Sequence, residues 1–132
     1  MKKSGIVNPQ LLSAIGELGH MDLICVADAG LPIPESVTRI DLTLVLGSPP
    51  PIDQVLRALE AECVFEKKIF AQEASQRNSA FVADLDYIWP DLESEAISHE
   101  DLKRLLLKCR FVIRTGEVTP FANVILQSGV PF

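Results

Sequence analysis

The chain has 132 residues, 48% hydrophobic and 23% charged, a balance that excludes disordered and fibrous proteins. A chain of that length forms one domain, spanning 1–132, that can bury about 70% of its unfolded surface. The formal charge of −6 argues against a nucleic-acid surface, which needs clustered Lys and Arg to displace counterions. No segment approaches the roughly 20 apolar residues of a membrane span, and no apolar run follows Met1-Lys2-Lys3, so a soluble cytoplasmic protein is expected.

In chain order, "NPQLLSAIGELG" predicts a first helix, with Asn8 as N-cap, Pro9 at its first position and Gly19 as its stop. "LICVA", Leu23 to Ala27, is a short continuous apolar run, the pattern of a strand buried on both faces. Asp28 then stands at the strand's carboxyl end. A second strand is predicted over Arg39 to Leu46, after which "GSPPP" reads as a linker without the lysine of a phosphate loop.

Ile52, Val55, Leu56 and Leu59 mark a helix face, and a strand follows around Lys68 to Ala71, with "EKK" at Glu66 to Lys68 read as solvated surface. The pattern from Ser75 to Trp89 predicts one further helix, stopped by Pro90. Ser98 and Asp101 form a near capping box that places His99 in the first turn of the next helix. "FVIRTGE" and "ANVILQSGV" close the chain as two strands. Alternating strands and helices predict an α/β fold, a three-layer α/β/α domain with a largely parallel central sheet.

Cys25, Cys63 and Cys109 are odd in number and outside any C-x-x-C pair, so they are expected as reduced core thiols. The sequence has no H-E-x-x-H, no cluster of Cys and His and no G-x-S-x-G, which leaves metal and Ser or Cys nucleophile chemistry unsupported. Arg39 and Arg114 can bind an anionic or hydroxylated ligand or pair with Asp41 or Glu117; pairing is favoured.

Ligands of such folds bind at the carboxyl ends of strands, where Asp28 and Glu117 are expected. Asp28 either serves a ligand there or caps its own turn. The chain has two histidines. His20 follows a helix C-terminus, which favours imidazolium, and a nearby Asp28 would favour it further, so His20 is suited to give up a proton. His99 at a helix N-terminus would stay neutral and suits hydrogen bonding. The bland alternative for both is an exposed turn histidine.

"MKKSGIVNPQLLSAIGELGHMDLICVADAGLPIP", "RIDL", "ISHED" and "RTGEVTPFANVILQSGVPF", in that order, closely resemble the D-ribose pyranase family, within a group that includes the fucose mutarotases. The resemblance implies cofactor-free interconversion of the pyranose and furanose rings of D-ribose and of its anomers. It implies His20 as the proton donor, and Asp28, His99, Phe121, Ala122 and Asn123 as sugar-binding positions, with no metal. It also implies a cyclic homo-oligomer, often a decamer, with each site at a subunit boundary. Ring exchange needs the ring oxygen protonated and the anomeric hydroxyl deprotonated, so a general acid and hydrogen-bonding groups suffice. His20 would protonate the ring oxygen, Asp28 would orient His20 or a hydroxyl, and His99 with Asn123 would hold the other hydroxyls. Phe121 departs from the family's usual tyrosine. The competing expectations are a mutarotase for another sugar, such as fucose, and a non-catalytic sugar-binding protein.

Overall fold

A computed structural model describes residues 1–132. Helix α1 covers Pro9–Gly16 and starts as predicted, the Asn8 side chain accepting a hydrogen bond from the Leu11 amide at 3.0 Å. It ends three residues before Gly19. Strand β1 is Leu23–Ala27, and β2 is only Thr38–Asp41, half the predicted length. Asp41 ends β2 by accepting the Thr43 amide at 3.0 Å in an Asx turn, so the apolar run behind it leaves the sheet and Leu44, Val45 and Leu46 are exposed.

Helix α2 (Ile52–Glu60) buries Ile52, Val55, Leu56 and Leu59, the predicted face. Strand β3 is Phe65–Ala71. The single helix predicted next is two: α3 (Ala74–Arg77) and α4 (Ser79–Ile88), broken where Asn78, at φ −153°, caps α4 by accepting the Phe81 amide. Strand β4 (Glu93–Ile97) follows, then α5 (His99–Leu105) behind its Ser98 cap, a 3-10 turn at Leu106–Lys108, β5 (Cys109–Arg114) and β6 (Val124–Ser128).

One six-stranded sheet takes them in the order β2-β5-β1-β6-β3-β4. The pairs β2·β5, β5·β1 and β3·β4 are parallel, whereas β6 runs antiparallel to both β1 and β3. The sheet is therefore largely parallel, with one reversed strand near its middle. Side chains of α1, α2 and α4 pack with Ile24, Val26, Phe70, Ile113, Val124 and Leu126 on one face. On the other, Leu102 and Leu106 join Leu31 and Val37 over Cys25, Ala71, Val112 and Ile125. The result is the expected α/β/α layering.

"GSPPP" is not a free linker. A Cβ on Gly116 would lie 1.6 Å from the Ser48 carbonyl oxygen, so only glycine lets this segment seat on the loop after β5. The Gly116 amide donates to Pro50 O at 3.0 Å and its carbonyl accepts from Gly47 at 3.1 Å.

Candidate functional site

The carboxyl end of β1 meets the amino end of β6 because the two strands are antiparallel. That meeting joins Asp28 to Asn123, 95 residues away: Asn123 Nδ2 donates to Asp28 Oδ2 at 2.8 Å, and Asn123 Oδ1 accepts the Asp28 amide at 2.9 Å. Asn123 is fully buried and Asp28 half-buried. Asp28 Oδ1 also accepts the Gly30 amide at 2.9 Å, so this carboxylate caps its turn and borders open space at once. The cavity beside it, about 240 Å³, is lined by Asp28, Ala29, Gly30, Leu46 and the segment from Glu117 to Pro120. Buried Thr115 fixes the end of β1, its amide and hydroxyl both donating to Ala27 O at 2.9 and 2.8 Å.

Phe121 and His99 form a second pair on the same edge of the sheet, edge to face with ring centroids 5.1 Å apart. The His99 Nδ1 atom is buried and has no hydrogen-bond partner. Such orphaned groups are uncommon and cost about 1–3 kcal/mol, so this nitrogen stands ready for a further hydrogen-bonding group. The His99 amide donates to both Glu73 oxygens at 3.1 and 3.0 Å, a carboxylate placed at the α5 N-terminus. Arg77 lies over the other ring of the pair, 5.7 Å from the Phe121 centroid. Asn78 Nδ2 holds the approach to Phe121, donating to Thr119 Oγ1 at 3.0 Å and Pro120 O at 2.9 Å. Ala122 is fully buried, in the core beneath α2 and α4.

Glu117, expected at this edge, is used differently. Its Oε1 accepts the Val118 and Thr119 amides, each at 2.9 Å. Burial acts to raise this carboxyl, but hydrogen bonds from Thr119, Val118 and the Ile52 amide at the start of α2 outweigh it and hold Glu117 below the usual carboxylate value. A depressed carboxyl stabilises the fold fully above its unfolded pKa of about 4.3, and that contribution is lost as pH falls through the lower folded value. Glu117→Gln is expected to lower stability by about 1 kcal/mol at pH 7. The gap from wild type should close on acidification, as urea unfolding across a pH series would show.

His20 sits at the opposite edge of the sheet. With the whole of β1 between them, His20 and Asp28 are on the order of 20 Å apart, at about 3.3 Å per strand residue. Asp28 therefore does not act on His20 within one chain, contrary to the expectation of a nearby carboxylate. The neighbour of His20 is Glu66: both carboxylate oxygens lie 3.2 Å from Nε2. Glu66 Oε1 in turn accepts from Gln127 Nε2 at 2.8 Å. The turn is fixed where Met21 donates to Ser128 O at 2.9 Å. Met21 (φ 68°) and Phe121 (φ 56°) are the two non-glycine residues with positive φ. Each adjoins one half of the predicted site, where backbone strain of about 1–3 kcal/mol tends to collect.

The structure thus brings together Asp28 with Asn123 and His99 with Phe121, and leaves His20 apart. Sequence reasoning missed Glu66, Glu73 and Asn78, since each meets its partner across a long sequence separation. For Asn78 the signal was present, an N-cap residue inside the predicted helix. Arg114 makes the expected ion pair, Nε 3.1 Å and the terminal nitrogen 2.6 Å from the Asp41 oxygens, and that hydrogen bonding holds Asp41 below its ordinary value. The cysteines are free, and burial pushes the Cys25 thiol well up and the Cys109 thiol up to about 12.

The model of the RbsD / FucU transport protein family matches residues 1–131. The D-ribose pyranase of Corynebacterium glutamicum is 51% identical over 132 residues, covering 100% of both chains. That of Chloroflexus aggregans is 45% identical with the same coverage. Bacillus subtilis RbsD complexed with D-ribose superposes with a TM-score of 0.95 at 44% identity, covering 100% of each chain. The Streptococcus pneumoniae fucose mutarotase with L-fucose shares the fold, with a TM-score of 0.78, 23% identity and coverage of 95% and 94%. With the family model matched almost end to end and full-length identities of 45% and 51%, the chain belongs to the RbsD / FucU transport protein family.

Proposed function

We propose that this chain is an isomerase, a single domain over 1–132 that interconverts the pyranose and furanose rings of D-ribose, and its anomers, by acid and base catalysis without a cofactor. The observation that carries this reading is the 0.95 superposition, at 44% identity over the whole chain, on an RbsD complexed with D-ribose. The chemistry requires a proton delivered to the pyranose ring oxygen as its bond to C1 breaks and the anomeric hydroxyl gives up its own. The aldehyde then recloses through another hydroxyl, whose proton leaves as the carbonyl oxygen regains one. His20 delivers the proton. Asp28, oriented by Asn123, holds a hydroxyl; His99 Nδ1 takes another, and the Phe121 ring stacks on the sugar's apolar face. Asn123, already paired to Asp28, and Ala122, in the core, shape the pocket floor.

One pentose cannot touch both edges of the sheet, so the working site joins His20 of one copy to Asp28 of the next. Leu46 and Val118, 78% and 60% exposed beside the Asp28 cavity, offer the apolar surface that such a neighbour would cover. The assembly in this reading is a cyclic homo-oligomer, a decamer, in the cytoplasm. NMR saturation transfer between the pyranose and furanose signals of D-ribose tests the activity. Acceleration by the folded protein is expected; unchanged exchange would remove the ribose reading.

Phe121→Tyr restores a phenolic hydroxyl next to His99 and Arg77. A new hydrogen bond of about 0.5–1.5 kcal/mol predicts a change in ribose affinity of roughly tenfold or less. Titration calorimetry of the two proteins measures it, and a shift beyond about a hundredfold would mean that the residue does more than line the pocket.

A further inference from the structure

We infer that Glu66 is a positioning residue for His20: held by Gln127, its carboxylate accepts a hydrogen bond from the Nε2–H of the imidazole and leaves Nδ1 as the nitrogen that exchanges a proton with the sugar. The inference deepens the reading of His20 given above. A carboxylate only accepts, so the nitrogen facing it carries hydrogen, and in a neutral ring the other nitrogen is then bare. When the ring is cationic, the proton it can give away is the one on Nδ1.

The fold builds this arrangement. Glu66 falls where the pairing of β3 with β6 shifts between Phe65 and Lys67, an irregularity of the kind that re-aims a side chain. Gly129 adjoins it, where a Cβ would come 3.6 Å from Glu66 Oε2. Its neighbour Lys67 pairs instead with Glu93 and Glu95, at 3.0 and 2.6 Å. Glu66 makes no ion pair except with His20 and accepts its other hydrogen bond from Gln127. The two side chains are 51% and 40% exposed, and exposed pairs contribute little stability, so folding does not account for holding them in register. Fixing the tautomer and angle of a general acid does.

Glu66→Gln tests this. Gln127 keeps the amide oxygen at the Oε1 position, which puts the NH2 group at the Oε2 position, 3.2 Å from Nε2, where an N–H favours the opposite tautomer. In ¹⁵N spectra of the full-length protein, wild-type His20 should show a neutral ring protonated at Nε2, and Glu66→Gln should move it toward Nδ1. The kcat for ribose ring exchange should fall about 10- to 100-fold with KM within about twofold. Added to His20→Ala, the same change should alter nothing further, as for two groups acting as one unit. A wild-type ring protonated at Nδ1, or the same tautomer in both proteins, would overturn the inference. Should the wild type not accelerate ribose exchange, the ribose reading fails while the tautomer comparison still decides the role of Glu66.

Discussion

His20→Ala lowers ribose ring exchange by about 10²- to 10⁴-fold, the usual worth of a positioned general acid, and leaves the fold intact. The second half follows from the surroundings: the side chain is 51% exposed and its hydrogen bonding is to Glu66, so stability should change by no more than about 0.5 kcal/mol. Asp28→Asn should inactivate as well, by weakening the hold on a sugar hydroxyl. The two inactive proteins, dissociated together and reassembled in equal amounts, then distinguish where the site lies. If each site takes His20 from one copy and Asp28 from another, about a quarter of the mixed sites are intact and about a quarter of the activity returns. If both residues served one chain's own pocket, nothing would return. Activity in His20→Ala alone at the wild-type level would remove His20 from the chemistry altogether.

The partners that gather at each end of the sheet trace to one topological fact that the sequence does not display, the direction of β6. Both "ANVILQSGV" and "LICVA" are legible as buried strands, because their apolar residues are continuous and the sheet is covered on both faces. Nothing in either run says that they are antiparallel. Reversal brings Asn123 to Asp28 at one edge and Gln127 to Glu66 and His20 at the other. Caps are equally legible, since Asn8 and Ser98 each bond an amide three residues on. Other elements were hidden for physical reasons. β4 presents Glu93, Ser94, Glu95 and Ala96 exposed along an edge strand, so no alternation marks it. The apolar run after Asp41 imitates strand yet is exposed loop.

The "EKK" run hides the largest departure in the core. Lys68, read as solvated, is 1% exposed on β3, and its Nζ donates to Leu85 O at 3.3 Å, Trp89 O at 2.9 Å and Asp86 Oδ1 at 2.7 Å. Those carbonyls belong to the last turn of α4 and its cap, the end of a helix that leaves acceptors without partners and favours a cation. Lys68→Ala strips both carbonyls of a charged donor and empties the space of the stem, while the 64% exposed Asp86 returns to water at little cost. The expected loss is about 3 kcal/mol, and Lys68→Met, which keeps the stem, should lose about half of that. Urea midpoints at an unchanged slope would measure both, and a loss under about 1 kcal/mol for Lys68→Ala would show that water replaces the ammonium freely. The damage should also reach the sugar. The Asn78 cap at the other end of α4 ties down Thr119 and Pro120 ahead of Phe121, so a loosened α4 slackens the ring against His99. Ribose affinity in Lys68→Ala should weaken although Lys68 itself lies in the core, and the Asp28–Asn123 pair, held by its own two hydrogen bonds, should stay as it is.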